Sequence, residues 1–591
     1  MSAVRIAALV KQIPAFEAME LGPDGRLVRE GLELEMNAYC RRAVSKGTEL
    51  AQQTGGTCTI LTLGPPSAED VLREGVAWGA DDAVLISDPA FAGSDTLATA
   101  RALAAALERE GPFDLVLVGR NSVDADTGQV GPEAAQLLDH PFLTGVRELE
   151  LRDDHVWARC ERDDEWVTAT VRLPAFLSVA ERLCEPCKMP PEARAEVPAD
   201  RIRRLTAADL GPGPWGQEGS PTTVGDVRVL EADRLNLALG GSVEEQVTKA
   251  LDVLADRGAL DRWATGEAQP VPVPGEGNDL VTVLVEPDRD RLTRELVGEA
   301  AALAAEIGGR VVCLGPAPPP DDALSSWGAD EVVAVDGALV EEDVAGAVTA
   351  WAEERMPWAV LAPGTAWGRE VASRVAAAIG AGLTGDAVDL GVEDGRLVAF
   401  KPAFGGRLVA AIRADSLTQM ATVRPGVLSL REPRPSAPVE RHQVAVEPRG
   451  RVIVSERSRE DDVETLAKAE VVVGVGMGVQ PDEYEGLRSL LHVLGAELAA
   501  TRKVTDKGWM PRARQVGITG HSISPRLFVS LGASGKFNHM VGVRGAGTVL
   551  AVNNDADCFV HEFADVSIVA DWHDVVPELV AQLEARGYPR T

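Results

Sequence analysis

The sequence predicts an α/β protein built from two copies of one parallel-sheet unit, followed by a third, doubly wound unit. Three observations carry this. Apolar runs of four to seven residues alternate with helical periods along most of the chain, the pattern of strands covered on both faces. The first part of the chain is written again further on, and the part after about residue 455 has no copy.

In chain order, the first copy reads as a strand in "VRIAALVK", a helix in "AVSKGTELAQQT", and a strand in "CTILTLG". A helix, "DAVLIS", a further helix, "FDLVLVG" and another helix follow. The later stretch "HVWARCERDDEWVTATVRLPAFLSVA" alternates like antiparallel strands. The repeat lies roughly 250 residues on, too long a period for a solenoid. Leu63-Gly64-Pro65 matches Leu314-Gly315-Pro316, and Trp78-Gly79-Ala80-Asp81 matches Trp327-Gly328-Ala329-Asp330. "FDLVLVGRNSVDADTGQVGPEAAQLL" (113–138) parallels "PWAVLAPGTAWGREVASRVAAAI" (357–379), and "PFLTGVRELEL" parallels "AGLTGDAVDL". The Pro/Gly-rich acidic stretch "EAQPVPVPGEGND" has the composition of a linker, and "REPRPSAPVERH" marks a second joint. The expected division is 1–266, a linker at 267–279, 280–440 and 441–591.

Composition limits the function classes. The chain has 591 residues, 45% hydrophobic and 4% aromatic, with a net charge of −33. So acidic a surface disfavours nucleic acid and anionic membranes, and so few aromatics disfavour base stacking. No apolar run is long enough for a transmembrane helix, and the apolar part of "MSAVRIAALVKQIP" is too short for a signal peptide. A cytoplasmic protein is expected. Seven scattered cysteines fit reduced thiols. Cys184-Glu-Pro-Cys187 reads as a loop with two free thiols, or as a redox or metal pair lacking a second pair nearby. No metal site is expected.

The third unit carries the chemistry. Gly474-Val475-Gly476-Met477-Gly478, Val516-Gly517-Ile518-Thr519-Gly520, Gly532-Ala533-Ser534-Gly535 and Val552-Asn553-Asn554-Asp555 each end a predicted strand. In a parallel sheet these ends share one edge, where doubly wound folds bind ligands. "LFVSLGASGKFNHMVGV" runs strand, glycine turn, helix start, the geometry that holds an anion on backbone N–H groups. It is not a P-loop, whose glycines lie further apart, nor a nucleophile elbow, because Gly535 directly follows Ser534. The plainer alternative is that these glycines only close βα turns and that His539 is a cap-region residue.

Residues 456–591 resemble the flavin domain of the alpha subunit of electron transfer flavoproteins. The resemblance rests on "TRKVTDKGWMP", "QVGITG", "GASGKFNH", "VLAVNND" and "VSIVADWHDVVPEL". Residues 280–430 resemble the rest of that subunit through "VLAPGTAWGREVASRVAA" and "ATVRPG". Residues 1–265 resemble the beta subunit through "VKQIP", "MNAYCRRAV", "GADDAVLI" and "DADTGQVGPE". The chain looks like the two subunits fused, beta then alpha. The resemblance implies two homologous adenine-nucleotide-hydrolase-like domains and a C-terminal Rossmann-like FAD-binding domain. It places His539 beside the flavin pyrimidine carbonyl, Arg502 over the ring and Thr519 at the flavin N5. Ser534 and Gly535, with Lys536, Phe537 and Asn538, fall at the diphosphate turn, beside Val516, Gly517 and Ile518. Asn553, Asp571 and Trp572 fall near the adenosine half, and Phe16 where a tyrosine approaches from the beta part. Met477 stands where an arginine is common, and Ile518 replaces a polar residue.

The resemblance also implies a second nucleotide, FAD or AMP, in the first unit, at Leu9, Asn37, Cys40, Leu63 and the loop Asp124, Asp126, Thr127, Gly128 and Gln129. The short loop "DADTGQVGPE" looks more like the nitrogen-fixation and electron-bifurcating branch, which favours a second FAD. Asp124 and Asp126 suit an anion only if they cap the next helix or orient the loop. Around "RLCEPCKMPPEARAEVPAD", Met189 is either the apolar anchor for a docking dehydrogenase or a core residue. The implied function is an electron carrier between flavoprotein dehydrogenases and a quinone oxidoreductase or other redox acceptor, with no catalytic residue of its own. A bifurcating flavoprotein with two FADs that oxidises NADH, and a flavin-free adenine-nucleotide-binding regulatory protein, remain the alternatives.

Overall fold

The protein is described here from a computed structural model covering every residue except 1–2, 15–32, 123, 164, 181, 230–233, 261–268, 276, 404–407, 460–464, 467–468, 518–519, 522, 544 and 589–591. Phe16, Ile518 and Thr519 therefore lie outside the described residues.

Seven parallel strands of the first unit run in the order Ile202–Leu205, Asp82–Ile86, Thr57–Leu63, Arg5–Leu9, Leu115–Gly119, Ala175–Val179, Phe142–Arg152. The second unit repeats that order with Glu440–Ala445, Glu331–Asp336, Arg310–Gly315, Leu280–Leu284, Ala359–Pro363, Gln419–Val423, Gly382–Ala387, again all parallel. The strands are apolar on both faces because helices cover both, and residues such as Ile60, Leu61, Leu85 and Ile86 are wholly buried. The first sheet continues as an antiparallel extension through His155–Arg162 and Glu165–Arg172. In the third sheet Leu237–Leu239, Val566–Ile568, Thr548–Val552, Leu527–Leu531, Val471–Val475 and Glu497–Ala500 lie side by side, all parallel.

Three strands cross between units. Thr222–Val229 leaves the first unit and pairs antiparallel with Leu408–Ala414 of a small four-stranded sheet in the second. Leu237–Leu239 then forms an edge of the third sheet, where Arg234 ion-pairs with buried Asp565 at 2.8 Å. The helix Val243–Asp256 starts at a capping box between Ser242 and Glu245. It buries Val247, Leu251 and Leu254 in one core with Leu579 and Leu583 of the last helix, Trp572–Ala585. In return, Val452–Arg459 pairs antiparallel with Glu165–Arg172 and completes the first sheet.

These crossings shift the boundaries expected from composition. Residues 441–459 were expected with the third unit. Instead Glu440–Ala445 closes the second sheet and Val452–Arg459 the first, so after the arm strand Leu237–Leu239 the third sheet resumes at Val471. Nor does the described part of the linker hang free. Val271 is buried and its N–H donates to the Glu432 carbonyl at 3.0 Å, while Gly275 N–H donates to Gly309 at 3.0 Å. A Pro/Gly-rich segment can still be fixed through its backbone.

Candidate functional site

Three of the four strand ends singled out in the third unit, those after Val471–Val475, Leu527–Leu531 and Thr548–Val552, meet along one sheet edge. The fourth, at Val516, follows no strand of that sheet: Gln515 and Val516 form only isolated bridges, to Ala500 and His521, so the strand expected there is replaced by a tight turn. Gly476 N–H donates to the Leu531 carbonyl at 2.9 Å and Gly478 N–H to that of Gly532 at 3.0 Å. A Cβ on Gly476 would stand 2.3 Å from the Ala533 Cα, so this approach requires glycine. Gly535 is buried at φ 65°, and a Cβ there would lie 2.2 Å from the Val560 Cα. Ser534 and Lys536 are exposed on the same turn, which leads into the helical turn Phe537–Met540.

His539 is buried. Its Nδ1 lies 2.9 Å from the Val516 carbonyl, and its buried Nε2 has no partner among the described residues. Burial holds the imidazole below its ordinary value, against the opposing carbonyl contact. A carbonyl only accepts, so Nδ1 carries the proton and the neutral ring presents a bare lone pair at Nε2. Donation from Nε2 therefore requires the imidazolium. The donor that the resemblance implies at this position would need that second proton on the ring. Gly517, at φ 143°, follows Val516, and its N–H donates to the His521 carbonyl.

The other expected contacts of this site take structural positions. The Asn553 amide donates to the Ala533 carbonyl at 2.9 Å and ties two strand ends together. Asp571 caps the last helix, accepting from His573 N–H. The indole N–H of buried Trp572 donates to the Gly478 carbonyl at 3.1 Å. His573, which sequence reasoning did not single out, stacks on Trp572 with ring centroids 3.9 Å apart and bridges Asp571 and Glu483. Those two carboxylates raise its pKa. Arg502 opens the helix Arg502–Asp506, half-exposed, with Nε 3.3 Å from the Asp506 carboxylate.

In the first unit, Leu9 and Leu63 end neighbouring strands, and Asn37 precedes the helix Ala38–Thr54. The Asn37 amide donates to the Asn121 carbonyl at 2.8 Å and lies 3.3 Å from the Cys40 sulfur. Burial pushes the Cys40 thiol up, so it remains protonated. The acidic loop is ordered by its own side chains. Lys11 Nζ contacts Asp124 at 2.7 Å, and the Asn121 amide donates to Asp126, which adopts φ 46°. Burial works against ionisation of Asp124, yet Lys11 and Ser122 hold its carboxyl below the usual range. Both carboxylates thus orient the loop. Neither caps the following helix Val130–Leu137, whose first flanking residue is buried Gln129. Gly128 takes φ 65°, and the Gln129 amide reaches the Leu383 carbonyl of the second unit. Thr127 lies against Gly385, where a Cβ would stand 3.2 Å from its side chain.

The second copy is built differently here. At the matching place Thr365 caps the helix Ala366–Ile379, and Ala366 N–H already donates to the Asp163 carboxylate at 2.7 Å. Asp163 comes from the hairpin turn of the first unit, a contact between distant segments that no local motif announces.

Met189 is half-buried, neither free nor in the core. Its N–H donates to Glu74 and its carbonyl accepts from Arg194. Cys184 and Cys187 are free thiols, both shifted up by burial. Among the described residues no helix is long and apolar enough to cross a membrane.

Comparison with known proteins identifies the family of each part. The electron transfer flavoprotein domain matches residues 24–209 and 282–447, and the electron transfer flavoprotein FAD-binding domain matches 465–544. Protein FixB of Clostridium saccharobutylicum is 34% identical over 311 residues, covering 50% of this chain and 93% of its own. Two subunits from Thermoanaerobacterium thermosaccharolyticum match different lengths. The electron transfer flavoprotein subunit alpha is 34% identical over 304 residues, 49% of this chain and 92% of its own. The subunit beta is 34% identical over 260 residues, 43% of this chain and 99% of its own. The chain belongs to the electron transfer flavoprotein family and joins its beta-like and alpha-like parts, with an FAD-binding domain, in one polypeptide.

Proposed function

We propose that the protein is an electron carrier that accepts electrons from flavoprotein dehydrogenases and passes them to a quinone oxidoreductase or another redox protein. Bound FAD supplies reversible one- and two-electron chemistry. The observation that carries the reading is the buried Nε2 of His539, a polar atom kept out of water with no partner among the described residues. Such an atom suits a cofactor edge that gains negative charge on reduction. The Gly535 turn and the Gly476–Gly478 approach leave backbone close to the same edge, which suits a diphosphate. Arg502 supplies the nearby cation, and Thr519 the hydroxyl expected at the flavin N5.

The loop from Asp124 to Gln129 holds a second nucleotide, with FAD preferred over AMP on the shortness of the loop. Acid release and counting of cofactors tests both statements. Two FAD per chain supports the assignment, one FAD and one AMP corrects the second nucleotide, and a colourless protein that takes up no FAD removes the carrier reading. Anaerobic NADH separates a carrier from a bifurcating flavoprotein: a carrier's visible spectrum stays unchanged until a dehydrogenase is added.

A further inference from the structure

The Asp506 carboxylate serves two arginines from different units. Within its own helix it faces Arg502 Nε at 3.3 Å. Across the gap between units it pairs with Arg182 of the first unit. Arg182 opens the loop that leads to Cys184, Cys187 and Met189, and it holds φ 69°. That conformation is strained for a residue with a side chain, and such strain persists only where surrounding contacts fix it. The loop behind it is firmly seated: Cys187 N–H donates to the Arg41 carbonyl, and Arg41 pairs with buried Glu74 at 2.5 Å.

We propose that Asp506 is a positioning residue that couples the seating of the flavin unit on the first unit to the positive charge that Arg502 offers to FAD. The inference rests on the reading that Arg502 faces FAD. While the units are seated, Arg182 takes a share of the Asp506 charge and Arg502 stays partly uncompensated. When a redox partner takes the loop and draws Arg182 off, Asp506 is left with Arg502. The guanidinium is then neutralised by its own helix, and it stabilises negative charge on FAD less. Seating therefore favours the reduced cofactor, and release favours giving its electrons up. All three side chains are about half-exposed, so the coupling lies in the range of surface ion pairs and weakens with salt.

The test uses the full FAD-loaded chain and reads the midpoint potential, expressed as the ratio of reduced- to oxidised-FAD affinity. Arg182→Gln should lower that ratio about two- to fivefold, the span of an exposed ion pair. Asp506→Asn should raise it, because Arg502 loses its internal counter-charge. In the double variant, Arg182→Gln should add nothing to Asp506→Asn. Additive shifts in the double variant would reduce Arg182 and Asp506 to independent surface charges and overturn the proposal. An unchanged ratio in Arg502→Ala would instead remove Arg502 from FAD, a failure of the underlying reading. A shift in Arg502→Ala with none in Arg182→Gln overturns the coupling alone. On the FAD-free protein, spin labels on the first and third units should report a wider separation in both Arg182→Gln and Asp506→Asn. An unchanged separation in both means the pair does not seat the units, which also overturns the proposal.

Discussion

His539 fixes where a proton sits before any cofactor is present. Its Nδ1–H is committed to the Val516 carbonyl, so the only change left to the ring is protonation at Nε2. His539→Ala should leave FAD bound but lower its midpoint potential by the loss of one charge-assisted hydrogen bond, about 1.5–3 kcal/mol, as read by potentiometric titration. The FAD-free protein carries a separate pH signature. Burial depresses the folded-state pKa of His539, so the unfolded chain binds more protons there and stability falls as the pH drops below about 6.5. Thermal unfolding of the apo-protein at pH 8 and pH 5.5 should show this loss, and His539→Gln should reduce it. Gly535 acts through backbone alone. Gly535→Ala places a Cβ 2.2 Å from the Val560 Cα at φ 65°, so it should cost about 1–3 kcal/mol of strain and abolish FAD retention on gel filtration. The glycine turn and the histidine could be read from "GASGKFNH" because both are local in sequence. The Val516 lock could not, since no residue type or spacing specifies which carbonyl a buried ring will find.

At the scale of elements, periodicity disclosed existence and burial disclosed address. The capping box and the apolar stripe of the helix Val243–Asp256 are local features of its sequence. That its stripe lies on the third unit is not, because Val247, Leu251 and Leu254 would suit any helix-sized groove. The packing makes a prediction at this scale. Leu251 is wholly buried against the flavin unit, so Leu251→Ala should destabilise that unit by about 2–5 kcal/mol, transfer and cavity terms together. Loss of bound flavin at a lower urea concentration than in the parent protein, with the far-ultraviolet signal of the other units still intact, would record it. The acidic loop at Asp124 and Asp126 was legible as a special turn. Its wiring to Lys11 and Asn121 became apparent only once the strands brought those residues together.

For the whole molecule, the duplication was legible because matched strings such as "WGAD" survive in order, and the two seven-strand orders repeat one another. The crossings were not legible, since a strand's sequence does not name its neighbour. They carry the next prediction. A protease site engineered within 261–268 should leave a single yellow species on gel filtration, held by the Thr222–Val229 and Val452–Arg459 pairings and by the arm helix. Separation into two colourless fragments would mean that chain continuity, and not these pairings, keeps the units together. The pairing of Val452–Arg459 also sets a timetable for biosynthesis. Ser455 bonds to a carbonyl 287 positions earlier, at Thr168. At roughly 5–20 residues per second on the ribosome, the Glu165–Arg172 strand waits about 15–60 s for its neighbour. Throughout that interval it is an open sheet edge on a growing chain. Its alternation of buried Val167, Ala169 and Val171 with polar Thr168, Thr170 and Arg172 would favour pairing with another nascent copy. Slower translation between these two segments should therefore lengthen that exposure and lower the fraction of chains recovered as monomeric native protein.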